Sequence, residues 1–118
     1  MSIRKFLLEA KLSKDVVTEL LRDRPSKSLA RSIRRLPIIP NGKYIGNMPA
    51  AHCETNTKKY KRLTGADVYE GYLIWRDPDG ELMIVSHTFN VANGKVHEVT
   101  KLDIPKWSDS TYIGENKS

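Results

Sequence analysis

The chain has one cysteine, Cys53, in 118 residues. A single cysteine excludes an intrachain disulfide and fits a reducing compartment, so the expected location is the cytoplasm. Long apolar runs are missing as well. No stretch approaches the about 18 apolar residues that a membrane-spanning helix needs, and no membrane is expected among the partners. Met1 to Leu8 carries charge but no extended apolar core and no small-residue cleavage site, so a secretory signal is not expected. No C-x-x-C or H-x-x-x-H spacing is present. His52, Cys53, His87 and His97 are the only metal-site candidates, and adjacent His52 and Cys53 are poor co-ligands; no metal and no cofactor are expected. The stretch Gly42 to Gly46 lacks the G-K-[S/T] arrangement of a phosphate loop. Internal repeats and low-complexity tracts are absent.

What is present suits one domain over residues 1–118, with 39% hydrophobic and 29% charged residues. The charge is uneven. Residues 1–47 hold eleven basic and four acidic side chains, a balance of +7, whereas residues 48–118 hold nine and ten, a balance of −1. Helical spacing is read over Ile3–Leu12, Lys14–Arg22 (with Ser13 as N-cap) and Leu29–Leu36. Pro37 to Gly42 reads as extended chain and a turn, the seam between a basic helical segment (1–40) and a second part (41–118). In that second part Tyr44 to Asn47 reads as a short bridge. Pro49 to Cys53 opens a helix that Thr64-Gly65 closes. Strands are expected over Val68–Trp75, Leu82–Val91 and Lys95–Thr100, with turns at Asp77-Pro78-Asp79-Gly80 and Asn93-Gly94. The tail from Ile104 to Ser118 reads as an irregular strap with loose last residues. The fold class is therefore α+β: a basic helical N-terminal segment, then a helix packed on a small antiparallel sheet. Its core is expected to hold Leu7, Val17, Leu20, Leu63, Leu73, Ile74, Met83, Val85, Phe89, Val96 and Val99.

Cys53 falls at a helix N-terminus, where free N–H groups and the helix dipole favour a thiolate. A buried, inert cysteine is the plain alternative. Asn56 and Tyr60 follow on the same helix face. Strand alternation sets His87 with Met83, Val85 and Phe89, a face expected to turn toward the cysteine helix, where His87 could act as a base. A two-residue turn at Asn93-Gly94 pairs His87 with Thr100 and puts Glu98 diagonal to His87 on the same face, within reach to orient it. A three-residue turn would send Glu98 to the other face. Asp103 is the substitute, and Asn90 is on the wrong face.

The order of a helix-N-terminal cysteine, a strand, a histidine strand and an acidic strand resembles the papain-like thiol fold of the NlpC/P60 and transglutaminase-like families. The stretch from His87 to Thr100 is similar to the histidine strand, turn and acidic strand of the latter. The likeness covers residues 48–103. It differs in the flanks of the cysteine, His52 and Glu54, and in a glutamate where those families carry aspartate. The resemblance implies that Cys53 attacks an amide or ester carbonyl, that His87 moves the proton and that Glu98 orients His87. The Cys53 N–H, with Asn47 or His52, would stabilise the oxyanion, and Asn56 would position substrate. The implied activity is that of a thiol hydrolase or acyltransferase on a peptide or amide substrate.

Two other classes fit the composition. One is a small nucleic-acid-binding protein, using Lys27, Arg31, Arg34 and Arg35 in the N-terminal basic segment and Lys58, Lys59, Lys61 and Arg62 around Tyr60. The same charges also suit an ordinary solvated helix surface. The other is an inhibitor without catalysis that docks on a protein partner, which would need an exposed apolar patch and an inert Cys53.

Overall fold

A computed structural model describes residues 36–118. Lys27, Arg31, Arg34, Arg35 and the expected core residues Leu7, Val17 and Leu20 lie outside the described residues. So do the three expected N-terminal helices, except for Leu36, which is a bend.

The described elements are β1 (Ile38–Ile39), β2 (Asn41–Met48), α1 (Cys53–Thr64), β3 (Asp67–Arg76), β4 (Leu82–Ala92), β5 (Lys95–Thr100), a 3-10 turn (Trp107–Asp109) and β6 (Thr111–Asn116). One helix packs on a six-stranded sheet of order β1-β6-β3-β4-β5-β2, which is the expected α+β class. The sheet is mixed rather than wholly antiparallel, because β2 runs parallel to β5.

Local chemistry sets the hairpins. At the β3–β4 turn, Asp77 Oδ1 accepts the N–H groups of Asp79 and Glu81, each at 2.9 Å. At the β4–β5 turn, Asn93 and Gly94 both take positive φ, 54° and 76°. That is the twist a two-residue hairpin requires, and Asn and Gly are the residues that adopt it at least cost. It gives the register Ala92↔Lys95, Val91↔Val96 and Asn90↔His97.

The sheet also curls. β1 and β2 lie on its two opposite edges, yet only Pro40 separates them. The Pro40 carbonyl accepts from Val96 of β5 at 2.8 Å, and the Pro37 carbonyl accepts from Gly114 of β6 at 3.0 Å. One bent strand thus serves both edges. The sheet wraps around Leu73, Phe89, Val91, Val96 and Tyr112, with Ile39, Tyr69, Trp75, Leu102 and Trp107 packed on them. Phe89 and Tyr112 meet edge-on with ring centroids 4.9 Å apart. Burying an aromatic side chain of this kind contributes about 2–3 kcal/mol. Gly71 pairs with Gly114 across β3–β6 and with His87 across β3–β4. A Cβ at Gly71 would stand 1.9 Å from the Ile113 carbonyl oxygen. The missing side chain lets β6 close on β3 and brings Tyr112 near the histidine strand.

α1 lies on the outer face. Asn90 Nδ2 donates to the Thr57 carbonyl at 3.0 Å, and Tyr60 bonds His97 Nδ1 at 3.0 Å. Glu54 in the first turn and Lys61 and Arg62 in the last complement the helix dipole. Gly65, at φ 81°, closes the helix by donating to the Lys61 carbonyl at 2.8 Å. No described helix is long and apolar enough to cross a membrane.

Several expectations change. Asn41-Gly42 is not a turn and Tyr44 to Asn47 is not a bridge; both belong to β2, held by the parallel ladder to β5. The helix begins at Cys53 rather than Pro49. The tail is a strand inside the sheet, with Tyr112 and Ile113 fully buried, and its end is tied where Lys117 donates to the Val68 carbonyl at 2.8 Å. Leu63 is 69% exposed, because α1 meets the sheet through Asn56, Thr57 and Tyr60 and leaves its last turn in solvent. Val85 is 37% exposed, since the β4–β5 ladder ends at Asn90↔His97 and this part of β4 is not covered on that side. The histidine face packs on the wrapped core, and the body of α1 rests on the opposite face, which carries Asn90 and His97; of α1, Cys53 at its start reaches His87.

Candidate functional site

His87 projects from β4 into the wrapped side of the sheet, stacked on Phe89 and tilted against Tyr112. Its Nε2 meets Glu98 Oε1 at 2.6 Å. Both side chains are buried, Glu98 completely. The diagonal follows from the hairpin register, in which Asn90 opposes His97 and the parity along each strand carries His87 and Glu98 to one face. Glu98 has further donors: the Tyr112 hydroxyl gives to Oε1 at 2.6 Å and the Thr100 N–H to Oε2 at 3.3 Å. Trp107 Nε1 donates to the Tyr112 oxygen at 2.8 Å.

Cys53 arrives from the other side of the sheet. Past Asn90, β4 and β5 part, and the first turn of α1 comes against β4 there. Cys53 comes against His87 and Thr88, the groups whose hydrogen bonding lowers its thiol. The bend into the helix is tight: Ala51 takes φ 64°, and His52 caps the helix without a side-chain bond. The first intrahelical bond runs from Asn56 N–H to the His52 carbonyl at 2.9 Å. The N–H groups of Cys53, Glu54 and Thr55 precede it and have no acceptor within the helix.

The electrostatics agree with this geometry. The His87 hydrogen bond lowers the Cys53 thiol; half-burial opposes it, and the Thr88 donors and the His87 charge reinforce it. Burial works to lower the His87 imidazolium, but bonds to Cys53 and Glu98 and their charges outweigh it and push the group up to about 9. The two shifts have opposite signs, and each favours the charged form of its group. Burial, then the charge of Glu98, pushes the Tyr112 phenol well above its ordinary value, so it stays a donor.

Cys53 and His87 line an open cleft of about 630 Å³, with Leu36, Gly71, Tyr72, Ser86 and Thr88 and the charged groups Glu54, Glu70, Glu115 and Lys117. Of the residues expected at the site, Cys53, His87 and Glu98 come together. Asn47 and His52 are exposed, and neither lines the cleft. Asn56 does not face substrate space. It is buried, and its Nδ2 donates to the Pro49 carbonyl at 2.8 Å and to Thr100 Oγ1 at 3.0 Å, tying the helix start to the end of β5. Lys58, Lys59 and Arg62 are exposed on α1 and Lys61 is half-buried. Among the described residues no three His, Cys, Asp or Glu side chains gather as metal ligands.

Sequence reasoning missed Thr88, Tyr112 and Trp107. The β-branched and aromatic run Thr111-Tyr112-Ile113 was the available sign of a strand. Compared with family models, curated proteins and solved structures, the chain matches none of them significantly.

Proposed function

We propose that this protein is a thiol-dependent hydrolase or acyltransferase acting on an amide or ester. The observation that carries the reading is the His87 imidazole, bonded through Nε2 to buried Glu98 at 2.6 Å and sharing one cleft with a half-exposed Cys53, whose thiol it lowers. The Cys53 thiolate attacks the carbonyl carbon and forms an S–C bond, and the carbonyl electron pair moves to the oxygen. The N–H groups at the start of α1, free of helical acceptors, stabilise that oxyanion. His87, as imidazolium, protonates the leaving amine or alcohol as its bond to carbon breaks. Water or an amine, deprotonated by His87, then displaces the thiol from the acyl-enzyme. Glu98 keeps the ring oriented and balances its charge. The resemblance to the papain-like thiol fold supports the same roles.

The alternatives have less support. An inhibitor with an inert cysteine is at odds with the polarised surroundings of Cys53. Nucleic-acid binding has the exposed Lys58, Lys59 and Arg62 in its favour, and would appear as a salt-dependent affinity indifferent to Cys53→Ala.

The test is a burst assay with p-nitrophenyl acetate followed by mass spectrometry. A stoichiometric burst and one acetyl group on Cys53, both lost in Cys53→Ala and His87→Ala, are expected. Acetylation no faster than that of a free cysteine peptide would refute the reading.

A further inference from the structure

Tyr112 enters this site through hydrogen bonds that leave its hydroxyl no choice. Trp107 Nε1 is a donor only, so at 2.8 Å it must give its proton to the Tyr112 oxygen. The single phenolic proton then goes to the remaining partner, Glu98 Oε1, at 2.6 Å. The same oxygen accepts from His87 Nε2. Glu98 is wholly buried, so its charge depends on these donors and on the Thr100 N–H. We propose that Tyr112 is a positioning residue of the thiol site, holding Glu98 as a charged acceptor for His87 through a hydroxyl that Trp107 orients. The inference rests on the thiol-site reading above.

The physical consequence has a sign. With the hydroxyl gone, the buried carboxylate loses a charge-assisted bond that fixes Oε1 against His87 Nε2, and its hold on the imidazolium loosens. Charge on His87 then falls, and the Cys53 thiolate loses part of its stabilisation. The ring itself packs on Phe89 and Trp107, and phenylalanine keeps that packing. The other charged groups around the cleft, Glu54, Glu70, Glu115 and Lys117, are untouched by the change.

The experiment is the pH dependence of Cys53 alkylation by iodoacetamide on the full chain, for wild type, His87→Ala, Tyr112→Phe and Trp107→Phe. Tyr112→Phe is expected to raise the apparent thiol pKa by about one unit, the scale of one charged hydrogen bond. Trp107→Phe, which weakens the same hydroxyl as a donor, should move it in the same direction by less. It also stands in if Tyr112→Phe does not fold. A lowered wild-type pKa that rises in His87→Ala but stays put in both Tyr112→Phe and Trp107→Phe would overturn the role of Tyr112 and leave the thiol site standing. An ordinary wild-type pKa, indifferent to His87→Ala, would overturn both. A loss of stability alone would not move the thiol pKa, so the measurement separates positioning from packing.

Discussion

His87 and Glu98 stand diagonally on neighbouring strands and meet at 2.6 Å through Nε2 and Oε1, with the glutamate wholly out of water. The pair ties an ordinary hairpin to the chemistry of a cysteine on another element. Breaking a buried pair from one side leaves a charge with no partner. Glu98→Ala should therefore cost about 3–5 kcal/mol of stability, measured by urea unfolding. The double variant His87→Ala/Glu98→Ala should cost clearly less than the sum of the single ones. Additive losses would mean that the two groups do not act on each other.

The charge on His87 should depend on both of its partners. His87 is raised from 6.5 to about 9, so its favourable bonds are fully present below pH 6.5 and are lost as the pH climbs through about 9. The Cys53 thiol is lowered and contributes in the opposite sense, at pH above its lowered value. In Cys53→Ala the largest cause that raises His87 is gone, and only the bond and charge of Glu98 stand against burial, so the imidazole pKa followed by NMR should fall below about 9. Glu98→Gln in that background should lower it further, because the opposing charge goes as well. An imidazole pKa indifferent to Glu98→Gln would contradict the charged His87–Glu98 pair.

The Asn93-Gly94 turn should control the site from its far end. One glycine inserted between Ala92 and Asn93 makes a three-residue turn and moves Glu98 to the other face of β5. Iodoacetamide labelling of Cys53 at pH 7 is expected to drop to the rate seen in His87→Ala, with a lower unfolding midpoint. Full reactivity in the insertion variant would show that something other than the turn fixes the register.

Ala51 holds a left-handed φ of 64° two residues before the cysteine. That conformation costs an L-residue roughly 1–2 kcal/mol, and glycine avoids it while losing about 0.5–1 kcal/mol in chain entropy. Ala51→Gly should therefore stabilise the protein by about 0.5–1 kcal/mol in urea unfolding. A loss of stability would mean that the methyl group makes contacts that outweigh the strain.

Local rules carried much of this structure in the sequence alone. Gly65 closes α1 because glycine accepts a left-handed φ at least cost. Asn93-Gly94 demands a two-residue hairpin, and the period of two along a strand then carries Glu98 to the face of His87. Those signals lie within a few residues of what they determine. Long-range pairing decided the rest. Alternation says that His87 and Asn90 point opposite ways, but not which side a helix will cover, and α1 took the Asn90 side. Nothing near Tyr112 announces that its strand will slot between β1 and β3, because Gly71 provides the room 41 positions earlier. Pro40 joins the two sheet edges only because all six strands curl together. The register of the pair was thus local. The approach of Cys53 and the Tyr112–Trp107 support came from the tertiary fold, where contacts form between residues whose spacing in the chain carries no signal.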